Sequence, residues 1–268
     1  EVKDPDRWAA ALQHLGYRAA YCPLEGGEGG ETARAYARAA AKADLVIAEV
    51  GAWSNPISPD EETRRAALSL CQTRLALADE IGARCCVNIA GSRGQKWNGP
   101  HPANLTEETF DLIVASVRSI IDAVKPKRTY YTMETMQWIF PHTPEAYLRL
   151  LRAIGRDRFA VHLDPVNLIC SPEKYFHNGD LLKECFALLG PQIKSCHAKD
   201  ISLAEKATVH LGEVRPGLGA LDYRVFLGEL DKLDPDTPLL LEHLTTAEEY
   251  ALAAAHIRST AGTLGITL

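Results

Sequence analysis

Short apolar runs and longer amphipathic stretches alternate along almost the whole chain. Residues 17–22, 45–50, 84–89, 129–134, 159–164, 192–197 and 238–242 have strand length and are rich in Val, Ile, Leu, Tyr and Cys. Between them, residues 31–42, 60–81, 105–124, 143–154, 179–189, 221–230 and 245–260 carry helical patterning, and a first helix spans 7–15. The helix starts are marked by Thr106 as N-cap, by Ser58-Pro59, by Thr143 with Pro144 at the first helical position, and by Thr245-Thr246. The 159–164 run is the sharpest case. Phe159, Val161 and Leu163 alternate with Ala160, His162 and Asp164, and Pro165 cannot continue a central ladder, so the strand stops at Asp164.

Apolar strands without strong alternation suit a parallel sheet covered on its outer face. The strand–helix repeat runs through residues 1–268 without a linker or low-complexity tract, so we expect a single domain. It predicts an α/β protein, a (β/α)8 TIM barrel. Seven strands are visible and the chain opens on a helix, which places the first strand upstream of, or missing from, residue 1. A doubly wound open sheet is the alternative. The stretches 91–104 and 199–219 read as long polar loops, and the Gly-rich 26–30 segment reads as a connection. That segment lacks the spacing of a phosphate-binding loop.

Composition narrows the classes. The 268 residues are 46% hydrophobic and 24% charged, enough to bury a large core. A net charge of −6 with no Lys/Arg-rich segment argues against a nucleic-acid partner, and no apolar run reaches the roughly 18 residues of a membrane span. Seven cysteines without CxxC spacing read as reduced core thiols of a cytoplasmic protein.

The chemistry lies at strand ends. The last four strands finish at Glu134, Asp164, His197 and Glu242, separated by 30, 33 and 45 residues. In a barrel the strand C-termini share one rim, so these four converge. Three carboxylates and an imidazole make a hard, oxygen-rich site that suits one divalent ion. Mn²⁺ is favoured or Mg²⁺, and Co²⁺ and Zn²⁺ can also bind.

The segments Tyr131-Thr132-Met133-Glu134, His162-Leu163-Asp164-Pro165-Val166-Asn167, Ser195-Cys196-His197-Ala198-Lys199-Asp200 and Leu240-Leu241-Glu242-His243 resemble metal-binding motifs of the xylose-isomerase-like TIM-barrel superfamily. Within it they are most similar to the sugar phosphate isomerase/epimerase family, which includes ketose 3-epimerases. The stretch from Gly212 to Gly219 is similar to that family's glycine-containing loop. The resemblance implies a small-molecule sugar substrate, with Glu134 and Glu242 acting as metal ligands and as a proton-transfer pair. Asp164 and His197 would be ligands only. It implies enolisation beside a carbonyl, hence epimerisation or isomerisation. The same chemistry could make the protein a lyase or dehydratase on an oxidised sugar, and a non-catalytic sugar-binding subunit is a third reading.

The nuclease branch of the family needs a His where this chain has Asn167, and an Asp where Thr208 precedes His210, so the trinuclear set is incomplete. Asn167, His210 and Arg215 are expected to face substrate. Trp97 and His101, in the loop after the 84–89 strand, either cover a sugar ring or meet a second copy in a homo-oligomer, as does Trp138. His162 is expected to be a core histidine, and His243, facing away from Glu242, is given no role.

Overall fold

A computed structural model describes residues 3–24 and 29–268, so part of the Gly-rich connection lies outside the described residues. In chain order the elements are α1 Pro5–His14, β1 Ala19–Tyr21, α2 Glu31–Lys42, β2 Val46–Gly51, α3 Glu61–Ile81, β3 Cys85–Asn88, α4 Glu107–Val124, β4 Tyr130–Glu134, α5 Pro144–Ile154 and β5 Phe159–Leu163. They continue with α6 Pro172–Phe176, α7 Asn178–Leu189, β6 Ile193–Ala198, β7 Asp200–Leu203, β8 Leu211–Val214, α8 Tyr223–Leu230, β9 Leu239–Leu241 and α9 Ala247–Leu264.

Seven parallel strands form one sheet in the order β1-β2-β3-β4-β5-β6-β9. The end strands β1 and β9 come together without ladder bonds among the described residues, giving a nearly closed barrel. The eighth place of a (β/α)8 barrel would fall between them. Every residue of β3 and β5 is buried, as expected for strands covered by side chains inside and by helices outside. The outer layer shows in Tyr147 of α5, whose ring stacks on Phe159 at 6.2 Å. Its hydroxyl accepts the amides of Met133 and His162 and donates to carbonyls of β4 and β5, stitching the two strands together.

Capping chemistry sets the helix starts. Thr106, Thr143 and Thr246 accept the amides of Thr109, Ala146 and Glu249, and Asp60 accepts that of Thr63. The structure differs from the sequence reading in the 199–219 stretch. It holds an antiparallel hairpin, β7 against β8, with Asp200 opposite Val214 and Leu203 opposite Leu211. Each strand has four residues, too few for a period of two to stand out, and the polar tip hides the pairing.

The hairpin and the chain that follows it are organised by one carboxylate. Asp200, 1% exposed, accepts the amides of Ile201 and Leu221 at Oδ1 and those of Gly217 and Gly219 at Oδ2, all at 2.9–3.1 Å. A Cβ on Gly219 would meet Asp200 Oδ1 at 2.3 Å and the Ile201 carbonyl at 2.4 Å, so only glycine lets this backbone close over the carboxylate.

Candidate metal centre at the barrel rim

Strands β4, β5, β6 and β9 deliver Glu134, Asp164, His197 and Glu242 to one point. One ligand-type atom from each lies within 4.8 Å of the others. The Nδ1 of His197 sits 2.9 Å from Glu242 Oε2, 3.2 Å from Glu134 Oε1 and 3.9 Å from Asp164 Oδ2. Neighbouring ligands on one ion at about 2.1 Å are roughly 3 Å apart, so this spacing fits a shared cation. The strand ends are coupled: Thr135 Oγ1 donates to the Asp164 carbonyl and accepts its amide. Asn167 braces the same pair, its Nδ2 donating to Glu134 Oε1 at 3.1 Å and Asp164 Oδ2 at 3.0 Å.

The cluster demands positive charge. Lys199, 2% exposed, points its ammonium at these carboxylates, 2.6 Å from Glu242 Oε2, 2.7 Å from Asp164 Oδ2 and 3.6 Å from Glu134 Oε1. The oxygens that would hold a metal therefore already converge on a cation, and the donor set of three carboxylates and one imidazole fits a hard divalent ion.

Electrostatics follow from this crowding. Burial pushes the Glu134 carboxyl up. Burial also opposes charge on Glu242, but hydrogen bonds from His197 and His243 outweigh it and hold that carboxyl well below the usual range. For Asp164 the charge of Lys199 likewise overcomes burial and lowers the pKa. His197 is raised well above an ordinary imidazole: burial works against its charge, and the charge of Glu49 with the surrounding carboxylates prevails.

Three residues to which the sequence assigned no role belong here. Glu49 of β2 is fully buried beneath His197, with its Oε2 3.5 Å from His197 Nε2. The signal was an acid inside an apolar strand. Lys199 lies two residues after His197, within the Ser195–Asp200 motif. His243 contradicts the expectation that it faces away from Glu242: its Nε2 lies 3.1 Å from Glu242 Oε1 and its Nδ1 3.1 Å from Glu213. The reason is backbone geometry, because His243 has φ 58°, which breaks strand alternation. His162 is buried as expected, but it packs edge-on against the His197 ring at 4.1 Å and lies 3.1 Å from Glu49 Oε1.

The remaining expected residues spread around the rim. A cleft of about 200 Å³ beside the cluster is lined by Glu213, Val214, Arg215, His243, Leu244, Thr245 and Glu249. Arg215 lines it while paired to Glu249 at 2.9 Å. His210 stands exposed where β8 leaves the hairpin tip. His101 caps a short 3₁₀ turn by accepting the Ala103 amide, and Trp97 is 39% exposed in the same loop. Trp138 Nε1 donates to the Asn98 carbonyl, tying the loops after β3 and β4 together.

The architecture is that of a TIM barrel with a carboxylate–histidine cage at the C-terminal rim of its strands. The chain belongs to the xylose isomerase-like TIM-barrel family, whose model matches residues 9–260. No curated protein matches it by sequence. Among solved structures it is similar to a probable 3-DHS dehydratase from Bacillus anthracis, at 18% identity and TM-score 0.71, with 95% of this chain and 92% of that one covered. A 3-keto-D-glucoside 4-epimerase from E. coli aligns at 14% identity and TM-score 0.67, covering 96% and 95%. Endonuclease IV from Thermus thermophilus aligns at 15% and 0.69, covering 97% and 94%. Three different activities at such low identity show the fold alone.

Proposed function

We propose that the chain is a divalent-metal-dependent isomerase or epimerase acting on a sugar or sugar derivative. The observation that carries this reading is the convergence of Glu134, Asp164, His197 and Glu242 within 4.8 Å, at the rim where barrel enzymes build their sites. These four residues would hold one ion, Mn²⁺ by preference, with Mg²⁺, Co²⁺ or Zn²⁺ as substitutes. Once bound, the ion supplies Lewis acidity that stabilises negative charge developing on a substrate carbonyl oxygen.

The chain's own residues do the rest. Glu134 and Glu242 come from β4 and from the end of β9, on different sides of the cage, and can approach a substrate carbon from two directions. One removes the proton next to the carbonyl and the other returns one to the opposite face of the enediolate. Asp164 and His197 hold their places through Thr135, Asn167 and Glu49. Arg215 and His243 border the cleft and would meet substrate oxygens, as would Asn167, whose amide already bonds Glu134. Trp97, His101 and His210 are assigned to the outer loops, against the sugar or against a second copy in a homo-oligomer. Residues 1–268 would act as one catalytic domain. The acidic balance and the mostly buried cysteines, without CxxC spacing, favour a small-molecule substrate over nucleic acid and a reducing, cytoplasmic setting.

The test is solvent exchange. The Mn²⁺-loaded protein is incubated with a panel of ketoses and 3-keto-glycosides in deuterium oxide. Deuterium at one carbon with formation of a stereoisomer is expected, and Glu134→Gln should abolish it. Loss of water or of an aglycone without a stereoisomer would assign lyase chemistry instead. No exchange across the panel would overturn the enolisation reading.

A further inference from the structure

Glu49 is a carboxylate in an unusual place. It sits on β2, is 0% exposed, and reaches across the barrel interior to β5 and β6, three and four places away in the sheet. Its Oε1 accepts the Ser195 hydroxyl and lies 3.1 Å from His162 Nδ1. Its Oε2 has no hydrogen-bond partner among the described residues, and His197 Nε2 lies 3.5 Å from it. A buried carboxylate oxygen is costly to leave unpaired, so a proton on His197 Nε2 is strongly favoured there.

We infer that Glu49 is a positioning residue that fixes the His197 ring with Nε2 protonated, so that the Nδ1 lone pair faces Glu134, Asp164 and Glu242. The inference rests on the metal-site reading of those four residues. Its physical content is a carboxylate–histidine–metal relay assembled from opposite sides of the barrel. The alternative tautomer would turn a lone pair toward Glu49 Oε2 and an N–H toward the ion, which is repulsive at both ends. The edge-on His162 ring, 4.1 Å from His197 and with its Nδ1 3.1 Å from Glu49 Oε1, restricts rotation of the His197 ring that would carry its nitrogens away from these partners. Ser195, two residues before His197 on the same strand, keeps Glu49 from rotating away.

Glutamine is the discriminating substitution. It keeps the volume but replaces one oxygen by an NH₂ group, which must face either His197 Nε2 or the Ser195–His162 side. Glu49→Gln is expected to weaken Mn²⁺ binding, measured by calorimetric titration, about 10–100-fold. Glu49→Asp, which retains the charge, should recover part of that loss. The readout that a purely structural role would not move is ring ¹⁵N NMR of the Zn²⁺-loaded protein. The wild type should show His197 bound through Nδ1 with a protonated Nε2, and Glu49→Gln should lose the Nε2–H signal or its slow exchange.

A wild-type spectrum with His197 bound through Nε2 would overturn the inference whether or not the variant folds, and so would equal Mn²⁺ affinity in Glu49→Gln. A second bound ion that disappears in Cys85→Ala would also overturn it, since Glu49, Cys85 and His162 would then form a separate site. Failure of the wild type itself to bind a divalent ion would instead remove the metal-site reading.

Discussion

Asp200→Asn is a sharp test of how the site loop is held. The Asp200 carboxylate accepts four backbone amides, two at each oxygen. An asparagine keeps one oxygen and turns an NH₂ toward the other two amides, so two donors lose their acceptor whichever way the amide sits. Hydrogen bonds to a charged group contribute about 1.5–3 kcal/mol each, so two losses set a ceiling of roughly 3–6 kcal/mol. Relaxation of the loop brings the expectation to about 3 kcal/mol. For a chain of this size that lowers the melting midpoint by roughly 6–12 °C. Thermal unfolding followed by circular dichroism gives the global number. Amide hydrogen exchange gives the local one, with faster exchange expected at Ile201, Gly217, Gly219 and Leu221. A midpoint shift of less than about 2–4 °C, the equivalent of 1 kcal/mol, together with unchanged protection at all four amides, would refute the reasoning.

Two further outcomes follow from the same geometry. Lys199→Met leaves Asp164, Glu134 and Glu242 without the ammonium they surround, and removing one partner of a buried charge cluster costs about 3–5 kcal/mol. The loss should appear in the melting midpoint with a chelator present and be largely relieved by millimolar Mn²⁺; an equal loss in both conditions would refute the account of the cage. Among the described residues Cys170 is the one exposed cysteine and the other six are buried, so a thiol reagent should modify one group rapidly in the native protein and the others only on unfolding. More than one fast-reacting thiol would contradict the described core.

The barrel was legible because its βα repeat is written in local terms. Apolar runs of strand length, Thr106 and Thr143 as helix caps, and Pro165 as a strand stop each act over a few residues. The convergence of the four strand-end residues was legible for a related reason: once the strands are known, barrel topology brings Glu134, Asp164, His197 and Glu242 onto one rim. The hairpin of β7 and β8 was not. Its stability comes from Asp200 gathering amides up to 21 residues away, which no local pattern records.

By itself, then, the sequence determined the repeat, the boundaries of the longer helices to within a few residues, though not the short α6, and which side chains end each strand. Those properties depend on neighbours along the chain. Only the tertiary structure decided that Glu49 lies under His197 from the far side of the barrel, that Lys199 turns into the carboxylates, and that His243, through its positive φ, returns to Glu242. Such contacts join residues up to 148 positions apart, and buried charges settle where their partners are rather than where a pattern points.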